Sequence, residues 1–426
     1  MNKNLNIFLN KKILVYGLGK SGLSAYNFLK KNNNVFLYDD FQKKLKNSKS
    51  YKFIVKNNFD YIILSPGIDI DKCKLSRYLK KNSKKIYSDL DVFYSCYKND
   101  CITVTGTNGK STTCQLLYEV LLKQNYDVRL VGNIGNPILS IKKIKSKTIF
   151  VVEASSYQLE YSKIFKSRYA VLLNITPDHI ERHKTLGKYI KAKFKLLKNQ
   201  SKNSLCFIKK NDPLIKKELN SQKLRCKIIK VDITKVSKIV NKFNNEYFLS
   251  DANKENLSFV LSISKKLRLK KDLLIKTIKN FKGLKYRQQI IYKKTFMTII
   301  NDSKSTSFSS SIGILKTNPN IYWFIGGIYK KGDKFNLPKK YYSKIRAFIF
   351  GKNRSYFNNQ LKGKVYSENF DNLKDAFKKV LKLIKKEEFI KKTILFSPSA
   401  ASFDNFKNFE DRGLYFNKLV KKYLND

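Results

Sequence analysis

Short apolar runs of four or five residues, rich in Ile, Val, Leu, Tyr and Phe, recur along this chain and alternate with lysine-rich stretches of helical periodicity. A strand buried on both faces reads as an unbroken apolar run, and a helix between two such strands lets them lie parallel. The alternation therefore predicts βα units on parallel sheets. Three series are visible. The first places strands at 13–16, 35–38 and 61–64; the second at the run beginning with Cys101, at 149–152 and at 170–173. The third starts near residue 284, with strands at 298–300, 322–325, 347–350 and 393–396. Residues 227–250 are polar and resist assignment, and no internal repeat is present.

Polar chemistry collects at the ends of these runs. Cys101-Ile-Thr-Val-Thr breaks into Gly106-Thr107-Asn108-Gly109-Lys110-Ser111-Thr112. Gly106 and Gly109 carry no Cβ, so the backbone can turn tightly and aim N–H groups at phosphate oxygens. Lys110 adds a mobile charge, and the hydroxyls of Ser111 and Thr112 open a helix whose positive end favours anions and Mg²⁺-bound phosphate. Val104 stands where the general phosphate loop has another glycine, so this is a shortened variant.

Gly17-Leu-Gly-Lys-Ser21-Gly22 follows the first strand and precedes a helical stretch, and Asp39 closes the second strand about twenty residues on. That setting supports a dinucleotide or nucleotide-sugar site. Ser65-Pro-Gly67 ends the third strand in another loop facing the sheet edge. In the central series, Glu153-Ala-Ser-Ser-Tyr-Gln158 and Asn174-Ile-Thr-Pro-Asp178-His179 place carboxylates and an imidazole at strand ends, where open α/β sheets bind ligands. His179 and His183 are the only histidines. In His-Ile-Glu-Arg-His, Glu181 falls two residues after the first histidine, on the opposite helix face, so the zinc-protease order is absent. His179 reads as a ligand for a hard cation beside phosphate, and His183 as a solvated helix residue.

Length and composition bound the rest. The 426 residues suit two or three domains. A net charge of +56, from 88 Lys and Arg against 32 Asp and Glu, invites a nucleic-acid partner. The excess is nearly all lysine, spread along the whole chain beside abundant Asn, Ile, Phe and Tyr, so biased coding explains it better and no nucleic acid is expected. Six cysteines lack metal-ligand spacing and read as reduced thiols of a cytoplasmic protein. The N-terminus has no sustained apolar core of a signal peptide, and no run approaches the roughly 18 apolar residues of a membrane span, so no membrane insertion is expected. A nicotinamide-dependent dehydrogenase accounts for Gly17 to Asp39 but leaves the phosphate loop unexplained.

Taken together, Gly106-Thr-Asn-Gly-Lys-Ser111, Glu153-x-Ser-Ser-Tyr-Gln-Leu-Glu160, Asp178-His179, Asn301-Asp-Ser-Lys-Ser-Thr306 and Ser397-Pro-Ser-Ala-Ala-Ser-Phe-Asp-Asn-Phe-Lys-Asn-Phe-Glu410 resemble the Mur ligases of peptidoglycan synthesis, in order and over essentially the whole chain. The resemblance implies an α/β protein of three domains: an N-terminal Rossmann-like UDP-sugar domain at 1–93, a central P-loop-type ATPase with a mostly parallel sheet at 94–283, and a C-terminal Rossmann-like amino-acid domain at 284–426. The last two motifs favour, within the family, ATP-dependent joining of D-glutamate to UDP-N-acetylmuramoyl-L-alanine through an acyl phosphate. ATP and Mg²⁺ are the implied cofactors, and a monomer is expected.

Residue by residue, the resemblance gives Lys110 and Ser111 the ATP phosphates and Mg²⁺, with Glu153 and His179 serving the metals. It gives Asn133, in Gly-Asn-Ile-Gly, the muramoyl moiety. Lys193, in Tyr189-Ile-Lys-Ala-Lys193, corresponds to an N-carboxylated lysine whose carbamate would position Mg²⁺; a solvated lysine is the alternative. Asn256, Arg287 and Asp302 correspond to adenosine-binding positions. Lys304, Thr306, Lys330, Ser402 and Phe409 correspond to positions serving the phosphoryl group or D-glutamate, with Lys331 an alternative to Lys330. Ser21, Asp39 and Ser65 to Gly67 correspond to the uridine-nucleotide pocket.

Overall fold

The computed structural model describes residues 6–41, 47–330, 332–387 and 389–424. The chain divides into two compact units, Met1–Phe243 with Lys254–Lys279, and Asn244–Asn253 with Asn280–Asp426.

The first unit holds two sheets. Strands β1 (Lys12–Tyr16), β2 (Asn34–Tyr38), β3 (Tyr61–Leu64) and β4 (Ile86–Tyr87) lie in the order β2-β1-β3-β4, all parallel. Strands β5 (Cys101–Thr105), β6 (Val128–Gly132), β7 (Ile149–Glu153), β8 (Tyr169–Leu172), β9 (Leu205–Lys209) and β10 (Lys227–Val231) form a second parallel sheet, β10-β9-β8-β5-β7-β6. In both, the glycine loop follows the strand where the order reverses: β1 lies between β2 and β3, and β5 between β8 and β7. Neighbouring connections leave in opposite directions there, which opens a crevice at the carboxyl edge.

Asp91 ties the helix Asp89–Cys96 to the segment after the Glu153 motif. It closes a capping box with Ser88 and accepts from the N–H groups of Lys163, Ile164 and Phe165 and from the Ser162 hydroxyl. A buried carboxylate costs free energy unless such donors surround it.

The second unit has one sheet. Strands β11 (Gln289–Lys294), β12 (Met297–Asn301), β13 (Ile321–Gly326), β14 (Ile345–Phe350), β15 (Tyr366–Phe370) and β16 (Lys392–Phe396) lie in the order β11-β12-β16-β13-β14-β15, and only the β11 and β12 pairing is antiparallel. Because β16 inserts between β12 and β13, the loops after all three strands share one edge. Apolar clusters cover both faces, one around Trp323, Ile325 and Leu395 and the other around Phe324, Phe396 and Phe416. Among the described residues, no helix is long and apolar enough to cross a membrane.

Candidate active site

The loop after β5 is shaped by its glycines. Gly109 has φ +83, and a Cβ there would stand 2.1 Å from Asn256 Oδ1, so no side chain fits. Asn174, two residues beyond β8, anchors the turn: its carbonyl accepts from Thr107 N at 3.0 Å and its Oδ1 from Asn108 N at 2.9 Å. The Lys110 ammonium donates to the carbonyls of Gly106 (2.8 Å) and Thr107 (2.7 Å), which holds the charge over the loop. Ser111 opens the helix Lys110–Lys123, and its hydroxyl donates to Glu153 Oε2 at 2.6 Å.

Glu153 ends β7 almost wholly buried, and Asn133 Nδ2 donates to its other oxygen at 2.8 Å. Lys193 lies in the helix Leu186–Lys198, 1% exposed, and donates to the Gly106 carbonyl at 2.7 Å. Burial first, and then the neighbouring Lys110 charge, push its amine well below the usual lysine range, against the pull of Asp178 and Glu153. Tyr189 packs its ring 4.7 Å from that amine and shares a 3.0 Å hydrogen bond with Thr107. His179 adopts φ +53 and meets Tyr157 OH at 2.8 Å through Nδ1, with Asp178 at 3.4 Å from Nε2.

The donor set suits Mg²⁺. A serine hydroxyl and a buried carboxylate 2.6 Å apart are hard oxygen ligands, and Mg²⁺ is ordinarily held by one or two carboxylates together with substrate phosphates. Among the described residues, no group of three or more His, Cys, Asp or Glu side chains is placed to hold a metal unaided.

In the first sheet, Leu18 N donates to Asp39 Oδ2 at 2.7 Å and Ser65 Oγ to the Gly17 carbonyl at 2.6 Å. A Cβ at Gly22 would lie 1.8 Å from that carbonyl, so the third glycine permits the helix Lys20–Leu29 to approach β1. Ser21 sits in the first turn of this helix. Ile68, next to Gly67, offers its carbonyl to Arg182 and to Tyr161 OH, each at 2.9 Å.

In the second unit, Asp302 follows β12, buried, accepting from Gln288 N (3.0 Å) and Ser397 Oγ (2.9 Å). Burial pushes its carboxyl up to about 7, opposed by those two bonds and by the Arg287 and Arg412 charges. Lys304 Nζ lies 4.0 Å from the centre of the Phe409 ring, a cation–π contact joining the loop after β12 to the helix Phe409–Leu424. Ser402 is buried and Thr306 and Lys330 are half-buried, on the loops after β16, β12 and β13.

The family description "Mur ligase middle domain" matches residues 104–273. UDP-N-acetylmuramoylalanine–D-glutamate ligases from Rickettsia felis and Francisella philomiragia are each 34% identical to this chain; the alignments cover 99% of both chains in the first case, and 97% of this chain and 98% of the relative in the second. The chain belongs to the Mur ligase family. Among solved structures, MurF ligase from Thermotoga maritima in complex with ADP superposes with a TM-score of 0.57 at 16% identity, over 97% of this chain and 96% of that one. MurC from the same organism gives 0.54 at 16%, over 98% and 100%. These likenesses bear on the fold.

In this Mur ligase the first unit brings Lys110, Ser111, Asn133, Glu153 and Lys193 together around one loop, joined to His179 through Tyr189, whose rings are 6.4 Å apart. Asn256 joins them by accepting from Thr113 at 3.3 Å. The positions expected around adenosine are split, Asn256 in the first unit and Arg287 and Asp302 in the second. Lys331 lies outside the described residues.

Two expectations are corrected. His183 is not solvated: it is 2% exposed, stacks on Tyr157 and meets Ser156 Oγ at 3.0 Å. Glu181 is not remote from His179, because His179 caps the short helix Ile180–His183 in a left-handed conformation, with Nδ1 3.7 Å from Glu181 Oε1. The roles of Asn174 and Tyr157 escaped the sequence. Both lay within motifs already singled out, Glu153 to Gln158 and Asn174 to His179, but nothing local marks Asn174 as the loop's anchor or Tyr157 as the partner of His179.

Proposed function

We propose that this Mur ligase joins D-glutamate to UDP-N-acetylmuramoyl-L-alanine with ATP, as a cytoplasmic monomer in peptidoglycan precursor synthesis. The observation that carries the reading is the near-complete alignment, 97–99% of this chain and 98–99% of the relatives, with proteins bearing the D-glutamate ligase name at 34% identity. The division of labour follows three domains: 1–93 for the UDP-sugar, 94–283 for ATP, and 284–426 for the amino acid.

The reaction has two steps. The lactoyl-L-alanine carboxylate takes the γ-phosphoryl group, releasing ADP; the D-glutamate amine then adds to the acyl carbon, and the tetrahedral intermediate expels phosphate and loses the amine proton. Both partners of the first step are anions, so charge neutralisation is the main task. The Gly106–Gly109 backbone and Lys110 would bind and orient the phosphates, with the Ser111 and Thr112 hydroxyls beside them. Mg²⁺, when bound, would screen the phosphoryl oxygens; Ser111, Glu153 and His179, with a Lys193 carbamate, would hold it. Burial supports that last role, because only a neutral amine adds CO₂ and Lys193 is held toward neutrality. Asn133 would fix the muramoyl group, Asn256, Arg287 and Asp302 the adenosine, and Ser21, Asp39, Ser65 and Gly67 the uridine nucleotide. Lys304, Thr306, Lys330, Ser402 and Phe409 would face the phosphoryl group and D-glutamate.

The test is an amino-acid panel with ATP and UDP-N-acetylmuramoyl-L-alanine labelled with ¹⁸O in its carboxylate. D-Glutamate should be the only good acceptor, and one label should leave in phosphate. Ligation of diaminopimelate or lysine to a UDP-muramoyl-dipeptide instead would overturn the substrate assignment, and phosphate free of label would overturn the acyl phosphate.

A further inference from the structure

Arg412 is a large side chain buried completely, at 0% exposure. It sits in the first turn of the helix Phe409–Leu424, three residues after Phe409. Its Nε donates to Ser303 Oγ at 3.1 Å, and its Nη2 to the Ser303 carbonyl at 2.7 Å and the Ala400 carbonyl at 2.9 Å. Its Nη1 is buried without a hydrogen-bond partner, and a Cβ on Gly327 would stand 3.1 Å from it. Gly327, at φ +126, has no room for one, since the same atom would meet the Ala401 carbonyl at 2.4 Å. One guanidinium therefore hydrogen-bonds the loops after β12 and β16 and lies beside Gly327 in the loop after β13.

Each of these loops carries part of the proposed amino-acid site. Ser303 precedes Lys304 and Thr306, Gly327 precedes Lys330, Ala400 precedes Ser402, and Phe409 heads the helix that bears Arg412. Ser303 Oγ, while accepting from Arg412, donates to the Phe409 carbonyl at 2.9 Å, and the loops after β13 and β16 are joined by the bridge between Ile328 and Ala401. We propose that Arg412 is a positioning residue for amino-acid recognition: it holds the three loops in the register that sets Lys304, Thr306, Lys330 and Ser402 around the substrate carboxylates. This rests on the reading that these loops bind D-glutamate.

The chemistry selects arginine. A planar fork can serve a hydroxyl and two carbonyls at fixed angles, whereas a lysine offers a point charge on a flexible stem. A buried charge costs free energy, offset here by several hydrogen bonds and by the Asp302 and Asp404 carboxylates that favour its charged form.

The test is Arg412→Lys, with Ser303→Ala as a milder variant that removes the Nε acceptor. Steady-state KM is measured for D-glutamate, ATP and UDP-N-acetylmuramoyl-L-alanine, alongside the thermal midpoint. In folded variants the D-glutamate KM should rise about tenfold or more, with the other two within about twofold. Equal changes in all three KM values, or none in folded Ser303→Ala, would overturn the proposal. A wild type that does not ligate D-glutamate would instead overturn the substrate reading, so the two failures are distinguishable.

Discussion

The Lys193 amine donates to the Gly106 carbonyl across 2.7 Å, so the helix after His179 and the first turn of the phosphate loop are joined by one buried hydrogen bond. Lys191, two residues earlier on the same helix, is exposed. This contrast separates the two readings of the segment. Lys193→Ala should abolish ligation and regain part of it with added acetate, which returns a carboxylate to the site; Lys191→Ala should stay near wild type. A folded Lys193→Ala protein that acetate does not rescue, or equal losses at both positions, would argue against a carbamate.

Lys110 is held over the loop by two carbonyls and belongs to no apolar cluster. Its removal should therefore leave stability nearly unchanged while costing roughly 10²-fold or more in kcat, as loss of a transition-state charge partner does. Circular dichroism and a phosphate-release assay check the two halves. Full activity in Lys110→Ala would take the loop out of the mechanism.

Gly109→Ala should be worse for the fold than Lys110→Ala. The substitution forces a side chain into left-handed backbone, about 1–3 kcal/mol in itself, and drives it against Asn256 Oδ1. A lower denaturation midpoint together with lost ATP binding is expected. An unaltered midpoint would mean that the loop relaxes without cost.

How far the sequence foretold this molecule depends on burial. Strands buried on both faces, such as β5 and β13, announce themselves as apolar runs. Those missed were β4, β6, β9, β10, β11 and β15, and all but β9 are sheet edges. An edge strand has one side open to water, and Lys227–Val231 and Tyr366–Phe370 read as mixed polar segments for that reason. The site was legible where chemistry is local, as in Gly106–Ser111. It was not legible where a contact spans the fold: Asn174 reaches the phosphate loop from another strand, and His183 looked solvated because its partners, Ser156 and Tyr157, come from a different helix.

His183 supplies a pH test. Burial first, and then the neighbouring Arg182 charge, push its imidazole down to about 4, below the ordinary value of 6.5. Above the ordinary value both folded and unfolded chains hold it neutral, and its contribution is fully present. As pH falls from 6.5 toward 4, the unfolded chain gains a proton that the folded one refuses, so stability is lost, by at most about 1.4 kcal/mol per pH unit. Urea unfolding of wild type and His183→Gln across this window should show the shallower slope in the variant. Parallel curves would mean that the imidazole titrates alike in both states.

The amino-acid site makes the last prediction. D-Glutamate presents two carboxylates and must keep its amine free to attack, so its recognition falls to cations and hydroxyls. Lys330 and Ser402 lie on the loops after β13 and β16, adjacent in the sheet order by way of β16 and β13. Charge-assisted hydrogen bonds contribute about 1.5–3 kcal/mol each, and losing one should raise the D-glutamate KM by about ten- to a hundredfold. In the proposed reading the ATP phosphates are held by Lys110 and the Gly106–Gly109 backbone, so the ATP KM should change far less. Lys330→Ala and Ser402→Ala are the variants to compare. Should Lys330→Ala leave the D-glutamate KM unchanged, the neighbouring Lys331 takes the role, and Lys331→Ala should then show the rise; if neither lysine matters, the carboxylates are bound elsewhere.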